Sequence, residues 1–268
     1  MPLSTLKSRV RPGFLKHFSF VVVKNCKRRL EGFSLIELLV VISIIALLST
    51  LVIAAINKTK SAAMRTRCTA NLRQLGIATT LYWDDNNGCA FRYRSGSTNG
   101  GDIYWFGWLQ RGLEGQREFD PSQGALYRYI SGKGITTCPA LPYTMAKFKL
   151  KARGASFGYG YSLVFSAPIS APPVKVSSFK NISRLALFAD SAQINTFQPP
   201  ASPENPMLEE FYYITTNEPT VHFRHLGKAI VAFGDSHVES VPPYPGSLDF
   251  RLPDQIIGTL APDKFIEN

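Results

Sequence analysis

Residues 38–56, reading LLVVISIIALLSTLVIAAI, carry no charge and are broken only by Ser43, Ser49 and Thr50. A run of this length meets the criterion for a membrane-spanning helix. At about 1.5 Å per residue, 33–56 spans roughly 36 Å, enough for the hydrocarbon core with tilt. Beyond 56 the pattern changes without a break in helical character. No Gly or Pro interrupts 33–75, and Ala, Lys, Arg and Leu dominate 54–75, mostly good helix formers. Met64, Cys68, Leu72, Leu75, Thr79 and Tyr82 recur at three- and four-residue steps, with Lys58, Lys60, Arg65 and Arg67 mainly off that stripe. The pattern predicts one helix from about 33 to about 82, apolar all round at first and then burying a single stripe against a globular head. Gly76 is a candidate kink. Asp85-Asn86-Asn87-Gly88 is a natural stop, with residues that tolerate left-handed backbone.

The remaining pattern is of short strands. Residues 90–150 are loop-rich, with a polar turn cluster at Ser95–Gly101 and a dense aromatic run, Tyr104-Trp105-Phe106-Gly107-Trp108-Leu109. Gly124–Ile130 reads as a short helix or strand before a Gly132-Lys133-Gly134 turn. Further on, Gly158–Phe165, Arg184–Asp190 (RLALFAD), Phe211–Thr215 and Thr220–Arg224 read as strands. Lys228–Phe233 and His237–Val241 form a hairpin about Gly234-Asp235-Ser236. Such a succession predicts an antiparallel meander packed on the long helix, an α+β fold. The expected organisation is a basic leader over 1–32, a membrane segment over 33–56, an amphipathic segment over 57–82 and a head over 83–268.

Charge sharpens this picture. The 268 residues carry a formal net charge of +11, which taken whole suggests nucleic acid. Residues 1–32 hold eight cations against one anion, leaving the other 236 residues only four of the eleven net charges. Nucleic acid is therefore not expected as a partner. Mean hydropathy near zero (−0.02) excludes a polytopic membrane protein but not a single span. Lys24, Lys27, Arg28 and Arg29 stand just before the apolar run, which places the N-terminus in the cytoplasm and everything after 56 outside it.

A cleaved secretory signal would have a shorter apolar core and a small-residue cleavage site. A plain signal anchor accounts for the run but leaves Glu37 unexplained. An acid near the start of a span costs a few kcal/mol on insertion scales and calls for a partner. Gly32-Phe33-Ser34-Leu35-Ile36-Glu37-Leu38-Leu39 resembles the prepilin signal of type IV pilins and type II secretion pseudopilins. The resemblance implies that a prepilin peptidase cuts after Gly32 and methylates the new amine on Phe33. Glu37 is then the acid at the fifth mature position. Such an amine on a neighbouring subunit lowers the cost of burying the acid, which makes Glu37 an assembly residue. The leader is longer than is usual for that family, and a translation start near Val21–Val23 would leave a short basic one.

Arg67-Cys68-Thr69-Ala70-Asn71-Leu72-Arg73-Gln74-Leu75-Gly76, followed by Leu81–Gly88, looks like the corresponding segment of large G-type major pseudopilin relatives from planctomycete and verrucomicrobial bacteria. His225, with nine residues between it and Asp235, resembles the terminal H-x9-D motif of that subfamily. Ser236 stands where a second glycine is usual. The resemblance pairs the helix cysteine with the Cys-Pro cysteine, Cys68 with Cys138. Removal of Cys26 with the leader leaves three thiols, so a Cys89–Cys138 bridge and three free thiols are the alternatives. A bridge closing about 70 residues contributes roughly 4 kcal/mol in the chain-entropy model. A calcium loop near the C-terminus, known among major pseudopilins, is not carried over, since Asp249, Asp254, Asp263 and Glu267 are scattered.

Three functions follow. The first is a structural subunit of a type II secretion-like pseudopilus or a type IV pilus-like filament, anchored in the bacterial inner membrane with a periplasmic head. Its partners would be prepilin peptidase, other pseudopilin subunits, the assembly platform and membrane lipid. The second is a binding module for polysaccharide, DNA or a secreted substrate, using the aromatic run; exposure of Trp105 and Trp108 in a concave site would favour it. The third is a tethered enzyme built on His222, His225, Asp235 and His237. No hydrolase, zincin or P-loop signature occurs, so no catalytic residue and no cofactor is expected. Strand alternation puts His222 and His225 on opposite faces, so no metal site is expected either. Asp235 is expected to brace the turn through its side chain, and His225 to form a hydrogen bond near the strand entry.

Overall fold

The computed structural model describes residues 32–130, 132, 136–153 and 157–266. The basic leader through Glu31, with Cys26 and Val21–Val23, lies outside the described residues, as do most of the Gly132–Gly134 turn and Glu267. The chain divides into two compact units, Met1–Leu51 and Val52–Asn268.

One helix, α1 (Leu35–Asp85), covers the stretch expected to be helical except its first two residues, and runs three residues past the expected end. Helical structure continues unbroken through Gly76. Past Asp85 the chain turns through Asn87 and Gly88, both at positive φ. The Gly88 N–H returns to the Trp83 carbonyl at 2.7 Å, which satisfies one of the free carbonyls at the helix end.

Four short strands follow as an antiparallel meander in chain order: β1 (Arg94–Thr98), β2 (Gly101–Tyr104), β3 (Gly107–Gln110) and β4 (Phe119–Asp120). Gly124–Ile130 is neither a regular helix nor a strand. It contains one 3-10 turn at Tyr127–Tyr129. The later strands are β5 (Phe148–Lys149), β6 (Tyr159–Ser162), β7 (Ala186–Asp190), β8 (Gln193–Asn195), β9 (Met207–Glu209), β10 (Tyr213–Ile214), β11 (Val221–His222), β12 (Ala229–Phe233), β13 (Val238–Val241) and β14 (Ile257–Gly258). The α+β architecture is the expected one, but this half is not a sequential meander. The main sheet runs β10-β6-β7-β12-β13, with β10 parallel to β6. β5-β9-β8 and β11-β14 form smaller sheets, and β5 runs parallel to β9. Two- and three-residue strands carry no legible alternation, so their pairing is set by packing around the larger sheet.

β7 and β12 sit in the middle of the main sheet and are buried at every position. That is why RLALFAD and KAIVAF run apolar without alternating. Ile230 and Ala232 face a core shared with α1, while Ala229, Val231 and Phe233 face a second core with Phe223 and Leu260. The α1 stripe enters the first core through Cys68, Leu72, Leu75, Ala78 and Trp83. At the hairpin after β12, Ser236 presses on the helix, and a Cβ on Gly76 would lie 3.0 Å from the Ser236 Cβ. Gly76 is therefore a close-approach residue. Ser236 adopts φ +70°, a backbone conformation that favours glycine, and its hydroxyl lies 3.2 Å from the Thr80 hydroxyl.

Candidate functional site

The N-terminal unit is built around Ser34 and Glu37. Gly32, Phe33 and Ser34 precede the helix. The Glu37 N–H donates to the Ser34 hydroxyl at 3.3 Å, and the Ser34 N–H donates to the Glu37 carboxylate at 2.9 Å. This reciprocal pair is a capping box that satisfies two donors left free at a helix start. Glu37 also lies in the first turn, where the helix dipole favours an acid. Glu37, an acid in an apolar span, thus has a partner inside its own chain. The S-x-x-E spacing of residues 34–37 is the sequence signature of that cap. The three polar interruptions of the apolar run are satisfied locally. Ser43 donates to the Val40 carbonyl, Ser49 to Ile45 and Thr50 to Leu47, at 2.7–2.8 Å. Each hydroxyl can thus enter lipid without an unpaired donor. The helix is long and apolar enough to cross a membrane.

In the second unit, Cys68 and Cys138 are joined in a disulfide, their Cα atoms 5.0 Å apart. Cys89 is free and half-buried. The bridge ties α1 to a buried ionic cluster centred on Asp190, the last residue of β7. Arg224 donates to Asp190 Oδ1 at 2.8 Å. It also donates to the carbonyls of Gly158 and Ser191 and to His222 Nδ1. Asp190 Oδ2 accepts the Ile230 N–H at 2.8 Å and lies 3.3 Å from His225 Nε2. The same His225 nitrogen stands 3.5 Å from Cys138 Sγ. The side chains of Asp190, Arg224 and His225 are 0%, 3% and 2% exposed. Burial by itself would raise the Asp190 pKa, but the Arg224 charge and the hydrogen bonds from His225 and Ile230 outweigh it and hold the carboxyl below its ordinary range. Burial, together with the neighbouring Arg224 charge, holds His222 well below its ordinary value. His222 is therefore a neutral acceptor for the guanidinium.

The expected chemistry is redistributed. His222 and His225 join this cluster rather than facing apart. Asp235 and His237 lie in the exposed β12–β13 turn, where Asp235 accepts the His237 N–H at 3.1 Å and also bonds its ring. His225 and Asp235, paired by spacing in the chain, make their contacts in different places. The four residues of the enzyme reading are thus split between core and surface. The binding reading, which exposure of both tryptophans would favour, is weakened. Trp105 is buried and donates to the Tyr212 carbonyl at 2.9 Å; Trp108 is half-buried and donates to Thr98 at 2.8 Å.

Sequence reasoning missed Asp190, which hides at the end of an apolar strand. It also missed a second buried ionic group. Lys149 and Lys151 bond the two oxygens of Glu209 at 2.9 and 3.0 Å, and Glu114 joins them through Lys149. Burial alone would raise Glu209, but Lys151 and Lys149 hold it down. Next to it, burial pushes Glu210 up to about 7, against hydrogen bonds from the Phe157 N–H and the Tyr143 hydroxyl. Its Oε1 has no hydrogen-bond partner among the described residues. Charges at alternate positions, as in Lys149 and Lys151, read in a sequence as a solvated strand face. Only the packing reveals that they are covered.

Residues 27–53 match the family model described as the prokaryotic N-terminal methylation motif. The match spans the basic approach, the Gly32–Phe33 junction and most of the apolar run. It indicates a prepilin-like substrate of prepilin peptidase, and with the apolar helix it is consistent with anchoring in the inner membrane. No curated protein and no solved structure matches the chain.

Proposed function

We propose that this protein is a pseudopilin-like structural subunit. Prepilin peptidase cuts it after Gly32 and methylates Phe33. The subunit then leaves the inner membrane to join a type II secretion-like pseudopilus or a type IV pilus-like filament, with its head on the periplasmic side. Its partners are other pseudopilin subunits and the platform of the machine. The resemblance of residues 67–88 and of the His225–Asp235 spacing to G-type major pseudopilin relatives supports the finer assignment. The observation that carries the reading is the methylation motif at 27–53, which frames an acid inside an otherwise uncharged span.

Glu37 has two successive tasks in this reading. Before assembly it caps its own helix. In the filament, its charge pairs with the Phe33 amine of an adjoining subunit, which offsets the cost of an acid in an apolar setting. Repetition of one head-to-tail contact that does not close yields a helical fibre. Mass spectrometry of the N-terminus of membrane-extracted protein tests the proposal. The expected species begins with methylated Phe33. Retention of residues 1–32 in cells with active prepilin peptidase overturns it.

A further inference from the structure

Cys68 Sγ, Cys138 Sγ, Asp190 carboxylate and His225 ring nitrogen all lie within 4.8 Å of one another, and all four residues are buried. We propose that this cluster has a second chemical state. When the disulfide is reduced, the four residues form a tetrahedral site for a divalent zinc ion.

The spacing suits zinc. A tetrahedron with zinc–nitrogen and zinc–oxygen bonds of about 2.0 Å and zinc–sulfur bonds of about 2.3 Å has edges of roughly 3.3 Å between nitrogen and oxygen and roughly 3.5 Å between sulfur and nitrogen. His225 Nε2 lies 3.3 Å from Asp190 Oδ2 and 3.5 Å from Cys138 Sγ. Two edges of the polyhedron are therefore in place before any ion arrives. What remains is separation of the two sulfurs to an edge of about 3.8 Å, which side-chain rotation supplies from Cα atoms 5.0 Å apart.

Charge and donor type agree. Two thiolates, one carboxylate and Zn²⁺ sum to one net negative charge, and Arg224 on Asp190 Oδ1 neutralises it. Arg224 holds the oxygen that faces away from the proposed ion and so orients the ligating carboxylate from outside. A mixed set of two thiolates, an imidazole and a carboxylate suits a borderline-soft, four-coordinate ion better than calcium or magnesium, which take oxygen ligands. A groove of about 890 Å³, lined by Arg65, Thr66 and Thr69 of α1 together with Leu226, borders the cluster at His225.

The steps balance. A dithiol reductant gives two electrons and two protons to the Cys68–Cys138 bond and becomes a disulfide itself. Zinc then replaces both thiol protons, which pass to solvent. The head thus exchanges one cross-link between α1 and the segment before β5 for another.

The test uses the full chain, untagged and in detergent, oxidised or reduced with a phosphine that does not bind zinc. Zinc is measured after desalting, and Co²⁺ serves as a spectroscopic stand-in. Reduced protein is expected to take up about one zinc per chain and to give the thiolate charge-transfer and tetrahedral bands of cobalt, whereas oxidised protein takes up neither. Cys89→Ser is expected to behave as wild type, and His225→Ala to lose stoichiometric uptake. A reduced, folded wild-type chain that binds no zinc overturns the proposal, as does equal uptake by Cys68→Ser/Cys138→Ser. If reduction unfolds the head, recovery of its near-ultraviolet dichroism on adding zinc supports the site, and failure to recover refutes it.

Discussion

Arg224→Met is the most direct probe of what holds the head together. Methionine keeps much of the volume but removes every donor. Asp190 then keeps its carboxylate, fully buried, with the Ile230 N–H and His225 as its remaining partners. The Gly158 and Ser191 carbonyls lose the guanidinium as well. Removing one partner of a buried ion pair costs about 3–5 kcal/mol, because the other charge stays desolvated. For a unit of this size about 2–4 °C of melting temperature follows each kcal/mol, so the melt should fall on the order of 10 °C. Adding Asp190→Leu removes the stranded charge and should recover a large part of that loss, since apolar replacement of a buried pair is often close to neutral. Thermal circular dichroism of both variants, with the disulfide intact, provides the measurement. A loss below about 1 kcal/mol for the single variant, or a double variant less stable than the single one, would refute the argument that this pair is desolvated and coupled.

Three other outcomes are expected. Glu37→Gln keeps a side-chain acceptor for the Ser34 N–H but loses the charge, whereas Glu37→Ala loses both. If charge pairing drives assembly, both should insert normally and both should give low filament yield in a shearing assay; normal yield from Glu37→Gln would leave only the helix cap as the role of this residue. Gly76→Val places a branched side chain against Ser236, where even a Cβ is tight. It should cost about 1–3 kcal/mol in denaturant unfolding, and an unchanged midpoint would show that the hairpin yields freely. Glu210 is held up to about 7 when folded, against an ordinary value of 4.5 for a glutamate. As pH rises between these values the unfolded chain releases the proton first, so folded stability falls across that window and is fully present only below it. Glu210→Gln should thus stabilise the head at pH 8 by on the order of 1–3 kcal/mol and change little near pH 4; a gain of equal size at both values would contradict the titration argument.

The sequence by itself determined what depends on local periodicity and local chemistry. The uncharged run and the three- and four-residue stripe are properties of one helix, and α1 could be drawn from them almost to its ends. The β12–β13 hairpin was equally legible, because its turn residues lie beside its strands. The Ser34–Glu37 cap is likewise encoded in the spacing of two residues three apart.

Only the tertiary structure decided the rest. Asp190, Arg224 and His225 come from two segments more than thirty residues apart, and nothing within either one announces that both are covered. Lys149, Lys151 and Glu209 read as surface until the loops close over them. The parallel pairing of β10 with β6 and of β5 with β9 rests on strands of two to four residues, too short for their own pattern to specify a partner. The physical reason is common to all three cases. Helical and hairpin hydrogen bonds are made within a few residues, so residue type and spacing encode them. Desolvation and long-range pairing depend on which distant surfaces exclude water together, and that is settled only when the chain packs.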